Sequence, residues 1–182
     1  MERSIGIVEF RSIAMGIGAV DAIVKTSDVR ILDARTICAG KYYIIFAGSV
    51  SAVRSAAQAV GEEFADFIID IGELSNVYPQ MFYAISQTSE IKDPGAIGVI
   101  ETLTSPSVLI AADSAIKATD VQLVEIRIAR ALGGKNICII TGDVSSVTES
   151  VRVGIQYARD KGFLVDSQVI PSPHEDLYRA IF

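Results

Sequence analysis

The side chain with the most distinctive chemistry in this sequence is Cys38, because it falls at a predicted turn. Ala39 and Gly40 follow it between two predicted strands, and glycine permits the positive φ that a tight hairpin turn requires. We therefore expect an accessible thiol at the tip of a hairpin. One thiolate per chain cannot hold an iron–sulfur cluster, which ordinarily takes about four protein ligands. Cys38 is either a free surface thiol or one of several thiols that a symmetric ring of chains brings together at its axis.

The other candidates for chemistry have structural explanations. Cys138 stands among aliphatic neighbours and is expected to be a small buried thiol. His174, the single histidine, precedes a predicted terminal helix, where we expect a surface or capping residue. The sequence holds no P-loop, no dinucleotide-binding glycine motif and no Gly-x-Ser-x-Gly motif, and its acidic residues lack the spacing of metal ligands. These observations predict that the protein is not an enzyme.

Composition and charge exclude several kinds of partner. Of 182 residues, 50% are hydrophobic and 21% are charged, which predicts a folded core. The net charge of -6, without a Lys/Arg cluster, argues against binding to nucleic acid or to an anionic membrane. The sequence shows no signal-peptide pattern and no apolar run of about 18 residues. Two cysteines make no disulfide framework, and we expect a soluble, cytoplasmic protein.

The sequence repeats itself. Ile5–Glu9 matches Ile97–Glu101 at an offset of 92 positions, and the same offset pairs the Asp-x-x-x-Lys motifs that end at Lys25 and Lys117. An ordered series of matches along most of each half indicates a tandem duplication. A short polar linker near Glu90–Pro94 separates the copies. The predicted domains are residues 1–92 and 95–182.

Hydrophobic periodicity predicts the same order of elements in each copy. A strand and a helix come first, and two further strands enclose the turns at Gly40–Lys41 and Gly134–Lys135. A second helix, with Asp143 as its N-cap in the second copy, leads to a short last strand. The order β-α-β-β-α-β, found twice, predicts an α+β fold of two tandem ferredoxin-like domains. The apolar residues expected to face the cores are Ile17, Val20, Ile23, Val24, Val53, Ala56, Ala57, Val60, Phe64, Val144, Val147, Val151 and Ile155.

Several motifs together resemble a known family. They are the Ile-Gly-x-x-Glu opening of each copy, the Asp-x-x-x-Lys motif, the Gly-Lys turn before an aliphatic strand, and the closing segment Ile170–His174. In this combination the chain is similar, over essentially its whole length, to tandem-domain shell proteins of bacterial microcompartments. More narrowly, Thr36–Lys41 resembles the pore segment of the trimeric, iron–sulfur-binding shell proteins of propanediol-utilisation microcompartments, with Ala39 where that pattern has proline.

The resemblance implies that three chains form a pseudo-hexameric disc, a homotrimer whose six domains tile a ring. It further implies that Lys25 and Lys117 lie at the rim, where the disc contacts neighbouring shell hexamers and trimers. Two loops of each chain would border a central pore. The implied pore-loop residues are Cys38, Ala39, Gly40, Leu132, Gly133 and Gly134.

The resemblance also implies a cofactor, one [4Fe-4S] cluster per trimer, held by the Cys38 thiolates of three chains. Such a tile would pass electrons, or the cluster itself, across the shell, with encapsulated redox enzymes as further partners. Two alternatives remain open. The first is a shell tile whose pore is a passive conduit for small metabolites, with Cys38 unligated. The second is a regulatory module in which two ferredoxin-like domains bind a metabolite.

Overall fold

The structure, a computed structural model, describes residues 4–129 and 131–181. The chain divides into two compact units. The first comprises Met1–Val77, Thr104–Ser107 and Ala129–Gly134, and the second comprises Tyr78–Leu103, Val108–Ile128 and Lys135–Phe182. The segment 88–95, which contains the predicted linker, has neither helix nor strand. Within the described residues, no helix is both long enough and apolar enough to cross a membrane.

The first repeat folds in the predicted order β-α-β-β-α-β. Its elements are β1 (Ser4–Phe10), α1 (Ile13–Thr26), β2 (Val29–Ile37), β3 (Lys41–Gly48), α2 (Val50–Glu63) and β4 (Ile68–Ser75). The strands form one antiparallel sheet in the order β2-β3-β1-β4. This is the ferredoxin-like arrangement, in which the first and third strands lie at the centre of the sheet.

The second repeat has the same order and follows a short helix, α3 (Pro79–Ile85), that the periodicity does not predict. Its elements are β5 (Ala96–Thr102), α4 (Ser105–Ala118), β6 (Gln122–Arg127), β7 (Asn136–Gly142), α5 (Val144–Gly154), α6 (Gln156–Asp160), β8 (Leu164–Ile170) and α7 (Glu175–Ile181). The strands again form an antiparallel sheet, in the order β6-β7-β5-β8. The predicted fold of two α+β domains, each with a four-stranded sheet, is confirmed.

Helices α1 and α2 cover one face of the first sheet. Alternate strand residues point towards them, and Val8, Phe10 and Phe46 are fully buried there. Gly6 belongs to the same row of β1, and a Cβ atom at this position would lie 2.2 Å from the Phe46 ring. The glycine of the first Ile-Gly-x-x-Glu motif is therefore required by the close approach of the Phe46 side chain.

The predicted buried face of α1 is wrong in part. Ile23 is fully buried, but Ile17 and Val24 are 57% and 45% exposed. The buried stripe of the helix passes through Gly16 instead, because the Tyr42 ring packs where a larger side chain would stand. The other predicted core residues of the first copy are buried or packed against the core: Val20, Val53, Ala56, Ala57, Val60 and Phe64.

The second sheet is covered on both faces. One face packs against α5, and a Cβ atom on Gly98 would lie 2.8 Å from side-chain carbons of Ile140 and Val151. On the opposite face, Ile97 and Ile139 pack against apolar residues of α7. Because successive strand residues point to opposite faces, this sheet reads as nearly continuously apolar in sequence.

Helix α5 begins as predicted. The Asp143 side chain accepts a hydrogen bond from the Ser146 N–H at 3.0 Å, which confirms Asp143 as the N-cap. Val147, Val151 and Ile155 are buried, as expected. Val144 is exposed, so its predicted burial is wrong; Val50, which also opens its helix, is exposed too. In both repeats the first residue of this helix, Val50 in α2 and Val144 in α5, comes before the helical turns that pack on the sheet.

Replacing Gly98 with alanine tests the close packing of the second sheet against α5. The added methyl group would overlap Ile140 and Val151, and we expect the free energy of unfolding to fall by about 1–3 kcal/mol, the usual effect of overpacking. Gly61→Ala is the matched control, since nothing lies within 4 Å of its added methyl group and alanine favours a helix by about 1 kcal/mol over glycine. Equal urea-unfolding midpoints for the two variants would contradict this packing argument.

Candidate functional site

The thiol of Cys38 lies in a three-residue turn between β2 and β3. Ile37 pairs with Lys41 across the hairpin, so Cys38, Ala39 and Gly40 form the connection. Gly40 has φ 75°, the positive value predicted from the sequence. Ala39 and Gly40 are exposed and Cys38 is half-buried. The turn therefore presents a thiol at the edge of the first compact unit.

A second loop lies beside this turn within the same unit. The Ala129 carbonyl accepts a hydrogen bond from the Cys38 N–H at 3.0 Å. A Cβ atom on Gly134 would lie 3.5 Å from the Cys38 carbonyl oxygen. The two segments implied as pore loops are thus neighbours in one chain, although more than ninety positions separate them in sequence. Leu132 is half-buried and Gly133 is exposed beside them, and Arg130 lies outside the described residues.

The backbone of this second loop is unusual. Gly133 and Gly134 have φ 61° and 89°, which glycine adopts readily. Ala129 and Ala131 also have positive φ, of 24° and 59°, and alanine rarely adopts such values. Strained backbone of this kind persists where the surrounding structure fixes it, often at functional sites. The contact with Cys38 is one such constraint.

Cys38 has no set of companion ligands within the described part of its own chain. Among residues 4–129 and 131–181, no three His, Cys, Asp or Glu side chains are grouped so that they could hold a metal ion. Cys138 is fully buried, as predicted, and burial raises the pKa of its thiol to about 12, so it stays protonated at neutral pH. His174 is exposed, and its Nδ1 accepts a hydrogen bond from the Asp176 N–H at 3.2 Å, as a capping residue would.

The lysine after each turn pairs with the glutamate of the repeated opening motif. Lys41 contacts the Glu9 carboxylate in the first repeat, and Lys135 lies 2.5 Å from Glu101 in the second. Glu9 is fully buried, whereas the Glu101 side chain is 26% exposed. The sequence comparison finds both motifs but not that they are two halves of one ion pair. Their recurrence in both copies, 32 residues apart in the first and 34 in the second, is the signal that could have shown it.

Glu9 and Asp70 form a buried carboxylate pair that the sequence does not reveal. They are opposite each other on β1 and β4. Glu9 Oε2 accepts hydrogen bonds from the backbone N–H and the hydroxyl of Ser105, both at 2.6 Å. Asp70 Oδ2 accepts from the hydroxyls of Thr104 at 2.6 Å and Ser107 at 3.0 Å. All of these residues belong to the first compact unit, and the carboxylates bind the first residues of α4.

The repeated Asp-x-x-x-Lys motif forms an ion pair within each helix. Lys25 lies 2.5 Å from Asp21 on α1, and Lys117 lies 2.6 Å from Asp113 on α4. The Lys25 side chain is 72% exposed and that of Lys117 is 32% exposed. Burial raises the pKa of Asp113, and its bond to Lys117 opposes that shift. The two motifs therefore share their geometry but not their environment.

Comparison with known proteins places these features in context. The sequence profile of the BMC domain matches residues 4–78 and 96–173. The bacterial microcompartment shell protein PduT of Citrobacter freundii is 39% identical over 180 residues, covering 98% of this chain and 97% of that protein. The carboxysome shell protein CcmK1 of Synechocystis sp. is 42% identical over 84 residues, covering 45% of this chain and 74% of that protein. The crystal structure of a microcompartment protein from Desulfitobacterium hafniense DCB has a TM-score of 0.85 and 45% identity, covering 98% of this chain and 99% of that chain.

Substitution of Gly40 tests whether the turn depends on its positive φ. Gly40→Val should destabilise the protein by about 1–2 kcal/mol, because this conformation is unfavourable for L-residues. Gly40→Asn should cost less, since asparagine tolerates positive φ. Apart from Gly40 and its two chain neighbours, no atom of the described residues lies within 4 Å of a Cβ at this position, so overlap at the Cβ does not complicate the comparison. Thermal unfolding that is the same for valine and asparagine would count against a conformational requirement.

Proposed function

Because the chain belongs to the BMC-domain family and is a structural shell protein of a bacterial microcompartment, we propose that three copies of it assemble into a pseudo-hexameric tile. Each chain supplies two domains of the same topology, so three chains supply six around one axis. The relatives are shell proteins rather than enzymes, which confirms the prediction of a non-catalytic role and disfavours a metabolite-binding regulatory module.

The single observation that carries the site is the contact between the Cys38 turn and the loop that contains Gly134. In a closed ring, adjacent loops at one edge of each chain recur at the same radius. We place this edge at the ring axis, where Ala39, Gly40, Leu132 and Gly133 border the pore together with Cys38. Duplication makes this mixed lining possible, since the second copy has leucine where the first has cysteine.

Three Cys38 thiolates at such a pore would hold a [4Fe-4S] cluster and would leave one of its irons without a cysteine ligand from the protein. The donor set of this chain fits such a cluster, because the ligands of these clusters are thiolates. Cys38 is the more accessible of the two thiols, whereas Cys138 is buried and protonated. When bound, the cluster would supply one-electron transfer across the shell. The Lys41 ammonium, which follows the turn, is engaged with Glu9 and so neutralises that carboxylate. Transfer of the cluster itself and passive metabolite passage are the competing uses of the same pore.

The tile has two further classes of partner in this proposal. Shell proteins assemble with other shell proteins, and the exposed Lys25 and the less exposed Lys117 are placed at the rim, in contact with neighbouring hexamers and trimers. Encapsulated redox enzymes are the expected electron donors or acceptors. Both assignments rest on the resemblance to tandem-domain shell proteins and on the exposure of the two lysines.

Cys38→Ser tests the cluster. Anaerobically prepared wild type should be brown, contain about four irons per three chains and give an electron paramagnetic resonance signal on reduction or oxidation. Cys38→Ser should lose the iron while the trimer persists by native mass spectrometry. Cys138→Ala is the matched control and should keep its iron, because that thiol is buried. Colourless, iron-free wild type after anaerobic reconstitution would favour the passive conduit.

Lys25→Ala and Lys117→Asp test the rim. Both should weaken the formation of sheets or tubes in electron microscopy without dissociating the trimer, because the rim and the interfaces within a disc use different surfaces. Lys161→Ala removes an exposed lysine outside the repeated motif and serves as the control. Parallel loss of trimer and sheets in the two rim variants would refute the assignment.

A further inference from the structure

The carboxylate pair Glu9 and Asp70 has a counterpart in the second repeat. Glu101 is opposite Asp166 on β5 and β8, as Glu9 is opposite Asp70 on β1 and β4. The local geometry is also repeated: Asp166 Oδ1 accepts from the next backbone N–H at 2.8 Å, and Asp70 Oδ1 does so at 3.0 Å. Each glutamate pairs with the lysine after its turn.

The two pairs differ in what covers them. Glu9 and Asp70 are buried beneath Thr104, Ser105 and Ser107 of the first compact unit. In contrast, Asp166 is exposed and Glu101 is partly exposed. The second pair therefore has the same acceptors, but among residues 4–129 and 131–181 no helix N-terminus covers it.

The offset of 92 positions identifies the missing segment. Thr104 corresponds to Ser12, and Ser105 corresponds to Ile13. Ser12 is the N-cap of α1, a helix of 14 residues, and its hydroxyl accepts the Met15 N–H at the long distance of 3.4 Å. Ile13 and Met15 are exposed. The chain thus carries an uncovered helix N-terminus that matches the uncovered carboxylate pair.

We propose that Glu101 and Asp166 of one chain bind the N-terminus of α1 in the next chain of the ring. The Ile13 N–H donates to Glu101 and the Ser12 hydroxyl donates to Asp166, as Ser105 and Thr104 do within one chain. Negative carboxylates complement the positive end of the helix dipole and accept charge-assisted hydrogen bonds. This assignment rests on the proposed three-chain tile and names the residues that close it.

Apolar residues support the pairing at both half-sites, which are the carboxylate pair of Glu101 and Asp166 and the start of α1. Leu103 and Val165 are exposed next to Glu101 and Asp166, and Ile13 and Met15 are exposed at the start of α1. At the equivalent contact within one chain, Ser105 and Ser107 occupy the positions that correspond to Ile13 and Met15. Both serines are fully buried. Two folded chains must bury surface to stay associated, so apolar residues favour this contact where the junction lies between chains.

The interface is heterologous, because one chain offers the carboxylates and the next offers the helix. Such contacts close into rings when the rotation between chains is suitable. Each chain of a three-membered ring would use both half-sites once. The six junctions around the tile would then alternate between serine-rich junctions within a chain and apolar junctions between chains.

Ser12→Asp and the double variant Glu101→Gln/Asp166→Asn test the interface. Aspartate caps a helix about as well as serine, so Ser12→Asp should keep the stability of the chain. It would, however, set a negative charge against Glu101 and Asp166. For each variant we expect a rise of about tenfold or more in the protein concentration at which half of the trimer is dissociated. This is the effect of losing a hydrogen bond to a charged group. Analytical ultracentrifugation measures it, and circular dichroism checks the fold.

The controls separate this inference from the proposed function. Asp160→Asn/Glu175→Gln removes two other carboxylates of the second repeat and should leave the trimer unchanged. Combining Ser12→Asp with Asp166→Asn should recover part of the affinity, because it relieves the repulsion. A trimeric wild type whose variants dissociate no more readily than the control would overturn the interface and leave the tile standing. A wild type that stays monomeric at every concentration would overturn both.

Discussion

The buried Glu9 carboxylate is the constraint on which the candidate site depends. A fully buried carboxylate is costly unless it is paired and hydrogen-bonded. Glu9 meets this condition through Lys41 on one oxygen and Ser105 on the other. Because Lys41 directly follows Gly40, neutralising Glu9 also fixes the end of the turn that carries Cys38. One charge thus couples the central strand, the turn and the start of α4.

Duplication keeps this framework and changes its surroundings. The Glu–Lys pair is retained in both copies, but Glu9 is buried and Glu101 is partly exposed. The turn keeps its Gly-Lys sequence, while the thiol of the first copy becomes a leucine in the second. A single-domain subunit in a ring would repeat one loop at every position. A chain with two copies can assign chemistry to one loop and packing to the other.

Much of the fold is predictable because it depends on local periodicity. The order of strands and helices, the positive φ of Gly40 and the cap at Asp143 follow from neighbouring residues alone. The predictions are wrong where tertiary packing, and not the local sequence, determines which residues are buried. Ile17 has the spacing of a core residue but is exposed, because the contact of Gly16 with Tyr42 rotates α1 towards its small residues. Helix α3 has too short an apolar pattern to be distinguished from a loop.

The sequence by itself determined the two copies, their fold class and the turn that holds Cys38, because these depend on offsets and on residues close in the chain. Only the tertiary structure decided that Cys38 lies against the loop containing Ala129 and Gly134, and that Glu9 and Asp70 receive the start of α4. Such contacts join residues far apart in sequence. They form only when whole sheets and helices pack, and no local pattern encodes which distant hydrogen-bond donor reaches a buried carboxylate.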